Sequence, residues 1–446
     1  MGTIYHSFPR RQTDFTVIKM KPFAPFFGLP LGISSTFWFI MGLLRYITER
    51  ISLYRNRGKK VPDKYVSNQI AAIIPAHNEE LAIRKCVAAL KQSLRVDQIH
   101  VVSDGSTDAT ADEARKENVR VSQTPGVGKA KAIMHAITTY KLFNKNALIF
   151  IVDADTRIDK LFIKRALPLF NDSEIGVVYG TARISWPDHI VPKLRFYYVA
   201  YRERLNRMLQ YFFAYGQTWK YTNTTYVIPG FCTLWRSNIL KKIPIDTPGL
   251  LIEDFNTAFY IHKHKVCKIG YNPDCIGWDQ HPETLSDYWQ QVRRWNIGFF
   301  QTVKLNGIWP SWYWLTLGIF TIEVFLNSIF ILCLPMLIFF LLFKDSPVLF
   351  PAISGYVEFY KLLGPFQNVR LLDIFMSLYV FDYGLTVVIG LVHRKPQFIF
   401  YGLFFFIMHY VTSLILITSL IPGFFSKSAG RWTSPKRSLE QMSVKM

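Results

Sequence analysis

Residues 147–155, with the sequence ALIFIVDAD, join an uninterrupted apolar run directly to two carboxylates, Asp153 and Asp155. A short apolar run of this kind predicts a buried β-strand, which places the paired acids just beyond its carboxyl end. Two such carboxylates can share a divalent cation, and their hard oxygen ligands favour Mg²⁺ or Mn²⁺. Asp-x-Asp is common in surface turns, so the prediction of a metal site depends on the strand before it.

The residues upstream of this strand alternate between short apolar runs and helical patterns. Strands that alternate with helices form parallel βαβ units, whose ligands bind at the carboxyl ends of the strands. The sequence therefore predicts an α/β, Rossmann-like domain with a mostly parallel sheet. Strands are predicted at Gln69–Ile74, Gln98–Val102, Val119–Val121 and Ala147–Val152, and helices at Glu79–Leu94, Ala109–Glu117 and around Lys129–Tyr140.

Polar residues follow the first two strands as well. The sequence AHNEE covers residues 76–80, and SDGSTD covers residues 103–108. Each places a helix N-terminus beyond a strand, where backbone N–H groups can receive an anionic ligand. Asn78 and Ser106 are also ordinary helix-capping residues, so capping alone explains either motif.

An acidic pair, Glu253 and Asp254, stands between apolar residues at a predicted helix start. Acidic side chains near a helix N-terminus interact favourably with the helix dipole, so capping accounts for this pair too. A desolvated carboxylate beside a substrate would instead act as the general base for a hydroxyl group. The position of the pair leaves both roles open.

The motif QQVRRW, residues 290–295, falls on an amphipathic helix predicted over residues 285–307. The apolar stripe of this helix is suited to a membrane surface. Gln291, Arg294 and Trp295 share a flank, because side chains three and four positions apart meet on a helix. A guanidinium can grip phosphate and an indole can stack on a sugar ring, but an ordinary basic interfacial helix has the same composition.

The composition of the chain indicates a membrane protein. Half of its 446 residues are hydrophobic and 16% are aromatic, which excludes a disordered or fibrous chain. The net charge of +21 accompanies a mean hydropathy of +0.15. The sheet region has neither a dense basic tract nor an RNA-binding aromatic motif, so we expect no nucleic-acid partner. The five cysteines form no Cys-x-x-Cys pair and indicate neither a zinc site nor a disulfide framework.

Four apolar segments are long enough to cross a hydrocarbon core of about 30 Å. The first covers residues 23–44, after an N-terminal segment at 1–22, and the basic residues that follow it predict that residues 45–284 form a cytosolic domain. Residues 309–425 contain three further crossings and a shorter re-entrant or interfacial segment. We expect an integral protein of the plasma or inner membrane.

Two features of the membrane region stay open. The basic tail, residues 426–446, predicts a cytosolic position, which one crossing before the domain and three after it would contradict. Asp382 lies inside a predicted crossing, where it either pairs with a basic residue or lines a polar passage.

The order of these motifs resembles the membrane-embedded branch of glycosyltransferase family 2. That branch includes the hyaluronan, cellulose, chitin and poly-N-acetylglucosamine synthases and ceramide glucosyltransferase, and the resemblance covers roughly residues 70–300. It implies a GT-A fold on the cytosolic side, joined to an α-helical transmembrane region. It also implies a nucleotide-sugar donor, Mn²⁺ or Mg²⁺ as cofactor, and a glycan or lipid acceptor.

On the donor side, the resemblance assigns five residues. Glu79 and Asp104 would hold the nucleoside, with Asp104 at the uracil of a UDP-sugar. Asp153 and Asp155 would hold the metal and the diphosphate. Lys129 matches a basic position near the donor, although a solvated helix lysine explains it equally.

Around the acceptor, the resemblance makes Asp254, with Glu253 beside it, the general base that activates the acceptor hydroxyl. Arg294 would bind the diphosphate, and Gln291 and Trp295 the terminal sugar of the acceptor. The chain departs from the family pattern at three places. It has one aspartate before Gly105 where the family usually has two, and Ile252 before the acidic pair where many synthases have threonine. Residues 431–437 show only a loose likeness to the gating segment of these synthases.

The resemblance implies an inverting transfer that polymerises a polysaccharide and translocates it across the membrane. Transfer of one sugar to a lipid, as in ceramide glucosyltransferase, is the alternative. A nucleotide-sugar-binding transporter is a third reading, in which the acidic pairs would have no purpose. The sequence indicates no oligomeric state.

Overall fold

The computed structural model describes residues 33–55, 62–184, 194–210, 222–279, 282, 284–343, 354–355, 372 and 376–426. Within them lies an eight-stranded sheet of order β3-β2-β1-β4-β7-β6-β8-β5. Its strands are β1 (Ile70–Ala76), β2 (Ile99–Asp104), β3 (Arg120–Thr124), β4 (Leu148–Val152), β5 (Arg157–Ile158), β6 (Ile175–Ile184), β7 (Cys232–Arg236) and β8 (Lys268–Asp279).

The first half of the sheet is parallel and the second half is mixed. β1 pairs in parallel with β2 and β4, and β2 with β3. β7 runs antiparallel to β4 and β6, while β6 and β8 run parallel. The predicted α/β, Rossmann-like and mostly parallel sheet is confirmed, and the antiparallel β7 is an addition that the sequence did not indicate.

Helices cover both faces of the sheet because its central strands are apolar on both sides. Ile70, Ala72 and Ile74 pack into one buried cluster, and Ala71 and Ile73 into the other, since alternate strand residues point to opposite faces. The helices are α1 (Ile33–Arg55), α2 (Ile83–Lys91), α3 (Thr110–Arg115), α4 (Lys129–Tyr140), α5 (Leu142–Lys145), α6 (Phe162–Ala166), α7 (Leu194–Leu209), α8 (Ser237–Leu240), α9 (Glu253–His264), α10 (Leu285–Asn306), α11 (Trp312–Phe343), α12 (Gly384–Val392), α13 (Gln397–Gly402) and α14 (Phe405–Phe425), with a π-helix at Met376–Tyr383.

The helix after β1 begins later than its sequence pattern predicts. Asn78 has a φ of 55°, which interrupts the chain between strand and helix. The backbone N–H of Glu79 donates to Thr110 Oγ1, and that of Glu80 to Asp108 Oδ2. These bonds tie the segment to the loop after β2, so α2 starts only at Ile83.

Two helices, Trp312–Phe339 and Phe405–Phe425, are long and apolar enough to cross a membrane among the residues that the structure describes. Of the predicted first crossing, residues 23–32 lie outside the described part, and α1 continues past Leu44 to Arg55. Arg45 on α1 donates from Nη2 to the Tyr271 carbonyl at 3.1 Å, which joins this helix to the sheet domain. Most of the predicted re-entrant segment and the tail after Ser426 lie outside the described residues.

Helix α10 spans almost the predicted range, and protein covers part of its apolar side. Tyr288 is fully buried, and its hydroxyl lies 3.1 Å from Thr412 Oγ1 on α14. The side chain of Phe300 lies against Gly423 on α14. Part of α10 thus packs against α14, and the predicted position of its apolar stripe at a membrane surface stays a prediction.

Asp382 pairs with basic residues, one of the two alternatives that the sequence left open. Its carboxylate forms an ion pair with Arg204 on α7 and lies 3.0 Å from His409 Nε2 on α14. The side chains of Arg204 and Asp382 are only 2% and 3% exposed. The pair joins the helix that leaves the sheet domain to the C-terminal helices.

Candidate active site

Three carboxylates and one ammonium group from distant parts of the chain meet at the edge of the sheet. Asp153 directly follows β4, Glu253 and Asp254 begin α9, and Lys129 begins α4. The Lys129 Nζ atom lies 2.8 Å from Asp153 Oδ1 and 3.4 Å from Glu253 Oε1. Lys129 is therefore ion-paired rather than solvated, and its predicted contact with the donor stays a prediction.

The carboxylates of this cluster outnumber its ammonium group, and the pKa values of two of them are raised. Burial raises the pKa of Asp153 to about 6, with Asp155 and Glu253 adding to the rise and Lys129 opposing it. Burial and the Glu253 carboxylate raise the pKa of Asp254 to about 7. Burial disfavours the charge on Lys129, but the surrounding carboxylates outweigh it and raise its pKa. A carboxylate with a pKa near neutrality is suited to accept a proton from a hydroxyl group.

Gly230 holds the Asp254 carboxylate in place, and no sequence motif indicated this glycine. Its backbone N–H donates to Asp254 Oδ2 at 3.0 Å, and its carbonyl accepts from Lys129 Nζ at 3.4 Å. A Cβ at this position would lie 2.4 Å from Asp254 Oδ1 and 3.0 Å from Lys129 Nζ. Only glycine leaves room for both side chains. The neighbouring Phe231 carbonyl accepts from the Asp153 N–H at 2.9 Å, which ties this segment to the Asp-x-Asp motif.

Asp104 lies at the end of β2 but directs its carboxylate at the protein's own loop. Its Oδ1 accepts from Thr124 Oγ1 at 2.6 Å and from the Val127 N–H at 2.7 Å. Its Oδ2 accepts from the Gly128 N–H at 2.7 Å, and the residue is 2% exposed. Asp104 thus fixes the loop that ends at Lys129, and its predicted contact with uracil stays a prediction.

The oxygen donors after β4 fit a divalent cation. Asp153 and Asp155 supply two carboxylates, and no group of three or more His, Cys, Asp or Glu side chains that could hold a metal occurs among the described residues. Mg²⁺ is commonly held by one or two carboxylates, with substrate phosphates and water completing its shell. The donor set therefore fits an ion that is completed by a diphosphate. Glu79, at the end of β1, is 2% exposed.

The motif on α10 approaches the same cluster. Arg294 lies in the electrostatic field of Asp153, Asp254 and Glu253, which oppose the lowering of its pKa by burial. Trp295 packs its ring under the guanidinium of Arg202, whose central carbon is 4.3 Å from the ring centroid. The Gln291 Oε1 atom is buried without a hydrogen-bond partner in the described part of the chain. No sequence motif indicated that Arg202 would lie against this motif.

The family described as "Glycosyltransferase like family 2" matches residues 68–298, the range that carries every one of these side chains. The chain belongs to this family. It is a glycosyltransferase, and the mixed sheet with its acidic strand end is the GT-A fold that the resemblance implied.

Curated relatives of this glycosyltransferase match part of its length. It is 27% identical over 277 residues to a probable glycosyltransferase, YdaM, of Bacillus subtilis, with 58% of this chain and 60% of that protein covered. It is 26% identical over 289 residues to a poly-beta-1,6-N-acetyl-D-glucosamine synthase of Staphylococcus aureus, with 60% and 66% covered. The chain thus spans less than two thirds of the length of either relative.

A solved structure with a likeness to this glycosyltransferase is a mannosyltransferase from Pyrobaculum calidifontis in complex with GDP-Man and Mn²⁺. The likeness has a TM-score of 0.46 and 16% identity, and it covers 89% of this chain and 100% of that one. A glucosyl-3-phosphoglycerate synthase from Mycobacterium tuberculosis in complex with Mn²⁺, uridine diphosphate and phosphoglyceric acid gives a TM-score of 0.37 at 19% identity, over 55% and 80% of the two chains.

Proposed function

We propose that this glycosyltransferase is an inverting, metal-dependent enzyme that transfers a sugar from a UDP-sugar to an acceptor hydroxyl and polymerises a polysaccharide at a membrane. The observation that carries the proposal is the Asp254 carboxylate. It is held by the Gly230 N–H at 3.0 Å, and its pKa is raised to about 7 beside a lysine and two further acids. Such a group can take the acceptor proton as the hydroxyl oxygen attacks the anomeric carbon.

The donor would lie between the end of β4 and the motif on α10. Asp153 and Asp155 would hold Mn²⁺ or Mg²⁺, which supplies charge stabilisation to a departing diphosphate when bound. Lys129 and Arg294 add positive charge near the carboxylates. Glu79 and Asp104 at the neighbouring strand ends would form the nucleoside side of the site.

Attachment to a membrane is supported by two helices that are long and apolar enough to cross it. Arg45 and the Arg204–Asp382 pair fasten α1 and the C-terminal helices to the sheet domain. We propose that the catalytic domain faces the cytosol, where nucleotide sugars are made, and that the polymer leaves through the membrane region. Likeness to a poly-beta-1,6-N-acetyl-D-glucosamine synthase supports a polymeric product.

Radiolabelled nucleotide sugars offered one by one to the purified full chain test this proposal. We expect one UDP-sugar to be consumed in the presence of Mn²⁺ or Mg²⁺, and a product of high molecular mass on a sizing gel. A single labelled glycolipid would show transfer to a lipid without polymerisation. Binding without metal-dependent turnover of any nucleotide sugar would contradict the enzymatic proposal and favour a binding or transport role.

A further inference from the structure

Arg202 on α7 is a half-buried arginine, and Asp279 at the end of β8 is the acidic residue whose charge acts on it. Its Nε atom is buried and has no hydrogen-bond partner within the described residues. No ion pair within 4.0 Å joins it to a carboxylate in that part of the chain. The next two arginines of the helix differ, since Arg204 pairs with Asp382 and Arg207 with Glu203 at 2.9 Å. A buried donor without a hydrogen bond is costly, so the Nε atom of Arg202 calls for a ligand or another function.

The contacts of Arg202 lead to the two chain segments that carry the reacting groups. Its central carbon lies 4.3 Å from the centroid of the Trp295 ring, and Trp295 directly follows Arg294. Tyr226 lies within the electrostatic range of Arg202. The Tyr226 ring stacks on Phe255 with an interplanar angle of 4°, and Phe255 directly follows Asp254. Aromatic contacts therefore connect Arg202 with both the α10 motif and the acidic pair.

A second unpartnered atom lies on the flank that carries Trp295. Gln291 is four residues before Trp295 on α10, and side chains at this spacing share a helix face. Its Oε1 atom is buried and accepts no hydrogen bond from the described residues. The flank thus offers hydrogen-bond donors on Arg202, an acceptor on Gln291 and an indole at Trp295. This set matches a sugar unit, whose hydroxyl groups donate and accept and whose C–H face packs on aromatic rings.

We propose that Arg202 belongs to the acceptor site. Its guanidinium holds the indole plane of Trp295 and donates hydrogen bonds to hydroxyl oxygens of the acceptor's terminal sugar, while Gln291 accepts from a hydroxyl of the same unit. The inference rests on the proposed function and adds a residue to it from outside the matched motifs. A planar guanidinium both stacks and donates in a fixed direction, so lysine replaces it only in part.

The test compares Arg202→Gln and Arg202→Lys with the wild-type full chain in detergent. Chitotetraose and cellotetraose serve as neutral acceptors, and UDP and GDP as nucleotide probes. For Arg202→Gln we expect the KM for the accepted tetrasaccharide to rise at least about tenfold, because a charge-assisted hydrogen bond is lost. Its affinity for the nucleotide should stay within about twofold of wild type. Arg202→Lys, which keeps the charge, should give an intermediate KM. Arg293→Gln is the matched control, since Arg293 is an exposed arginine on α10, two residues before Trp295.

An acceptor KM that is unchanged in Arg202→Gln would overturn the inference. Quenching of tryptophan fluorescence by each tetrasaccharide supplies a readout that needs no turnover. If wild type consumes no nucleotide sugar but a tetrasaccharide quenches it, and Arg202→Gln weakens that quenching, the proposed function fails and the acceptor site stands. Equal quenching of wild type and both variants, or none in wild type, would reject the site.

Discussion

Replacing Gly230 with alanine should disable the candidate active site without unfolding the chain. The new Cβ would lie 2.4 Å from Asp254 Oδ1, whereas ordinary contacts begin near 3.4 Å. The carboxylate must therefore retreat by about 1 Å, and a misplacement of about 1 Å costs roughly 10²-fold in rate. The backbone at Gly230 is not in the left-handed region, so alanine introduces no conformational strain there.

Two measurements on the purified variant separate a displaced carboxylate from a misfolded protein. We expect kcat for sugar transfer to fall by about 10²-fold, while the melting temperature and nucleotide affinity stay close to wild type. Gly318→Ala is the control, because a Cβ at that position meets nothing within 4 Å. Transfer by Gly230→Ala within about threefold of wild type would show that the position of Asp254 does not limit the reaction and would refute the role of Gly230.

Other consequences follow from the same geometry. Transfer should rise with pH through about 7 and fall about tenfold for each pH unit below it, because only the ionised Asp254 accepts a proton; a kcat/KM profile that is flat between pH 5 and 8 would contradict this. Lys129→Met should raise the donor KM at least about tenfold by removing the cation beside Asp153, whereas the exposed Lys131→Met should not, as donor titrations would show. Chelation with EDTA should abolish turnover, and Mn²⁺ or Mg²⁺ should restore it; activity that survives chelation would exclude a metal-dependent site. Arg204→Leu should destabilise the chain by about 3–5 kcal/mol, since it leaves Asp382 buried without its partner; an unchanged unfolding transition in detergent would contradict that role for the pair.

The strand ends of the parallel half could be predicted because they depend on local patterns. An apolar run followed directly by acids identified β4 and the position of Asp153. The alternation of apolar runs with helical patterns identified β1, β2 and β3 along the chain. The carboxyl ends of parallel strands lie at one edge of a sheet, so these motifs were expected to come together. The proximity of Lys129 to Asp153 agrees with that expectation.

The other half of the site depends on contacts between residues far apart in the chain. β7 inserts antiparallel beside β4, which places Gly230 next to Asp153 and Asp254. No periodicity in residues 228–236 indicates that pairing. Arg202 escaped notice for the same reason, since its neighbour Trp295 lies on another helix. The capping roles weighed for Asn78 and Ser106 also gave no sign that Asp104 would bind the backbone of the loop before Lys129.

The central claim is that Asp254 acts as the general base of a metal-dependent sugar transfer. Asp254→Asn, compared with the exposed control Asp246→Asn, tests it most directly with the nucleotide sugar that wild type consumes. We expect transfer to be lost in Asp254→Asn while affinity for that nucleotide is kept, and both to be unchanged in Asp246→Asn. Normal turnover by Asp254→Asn would contradict the account.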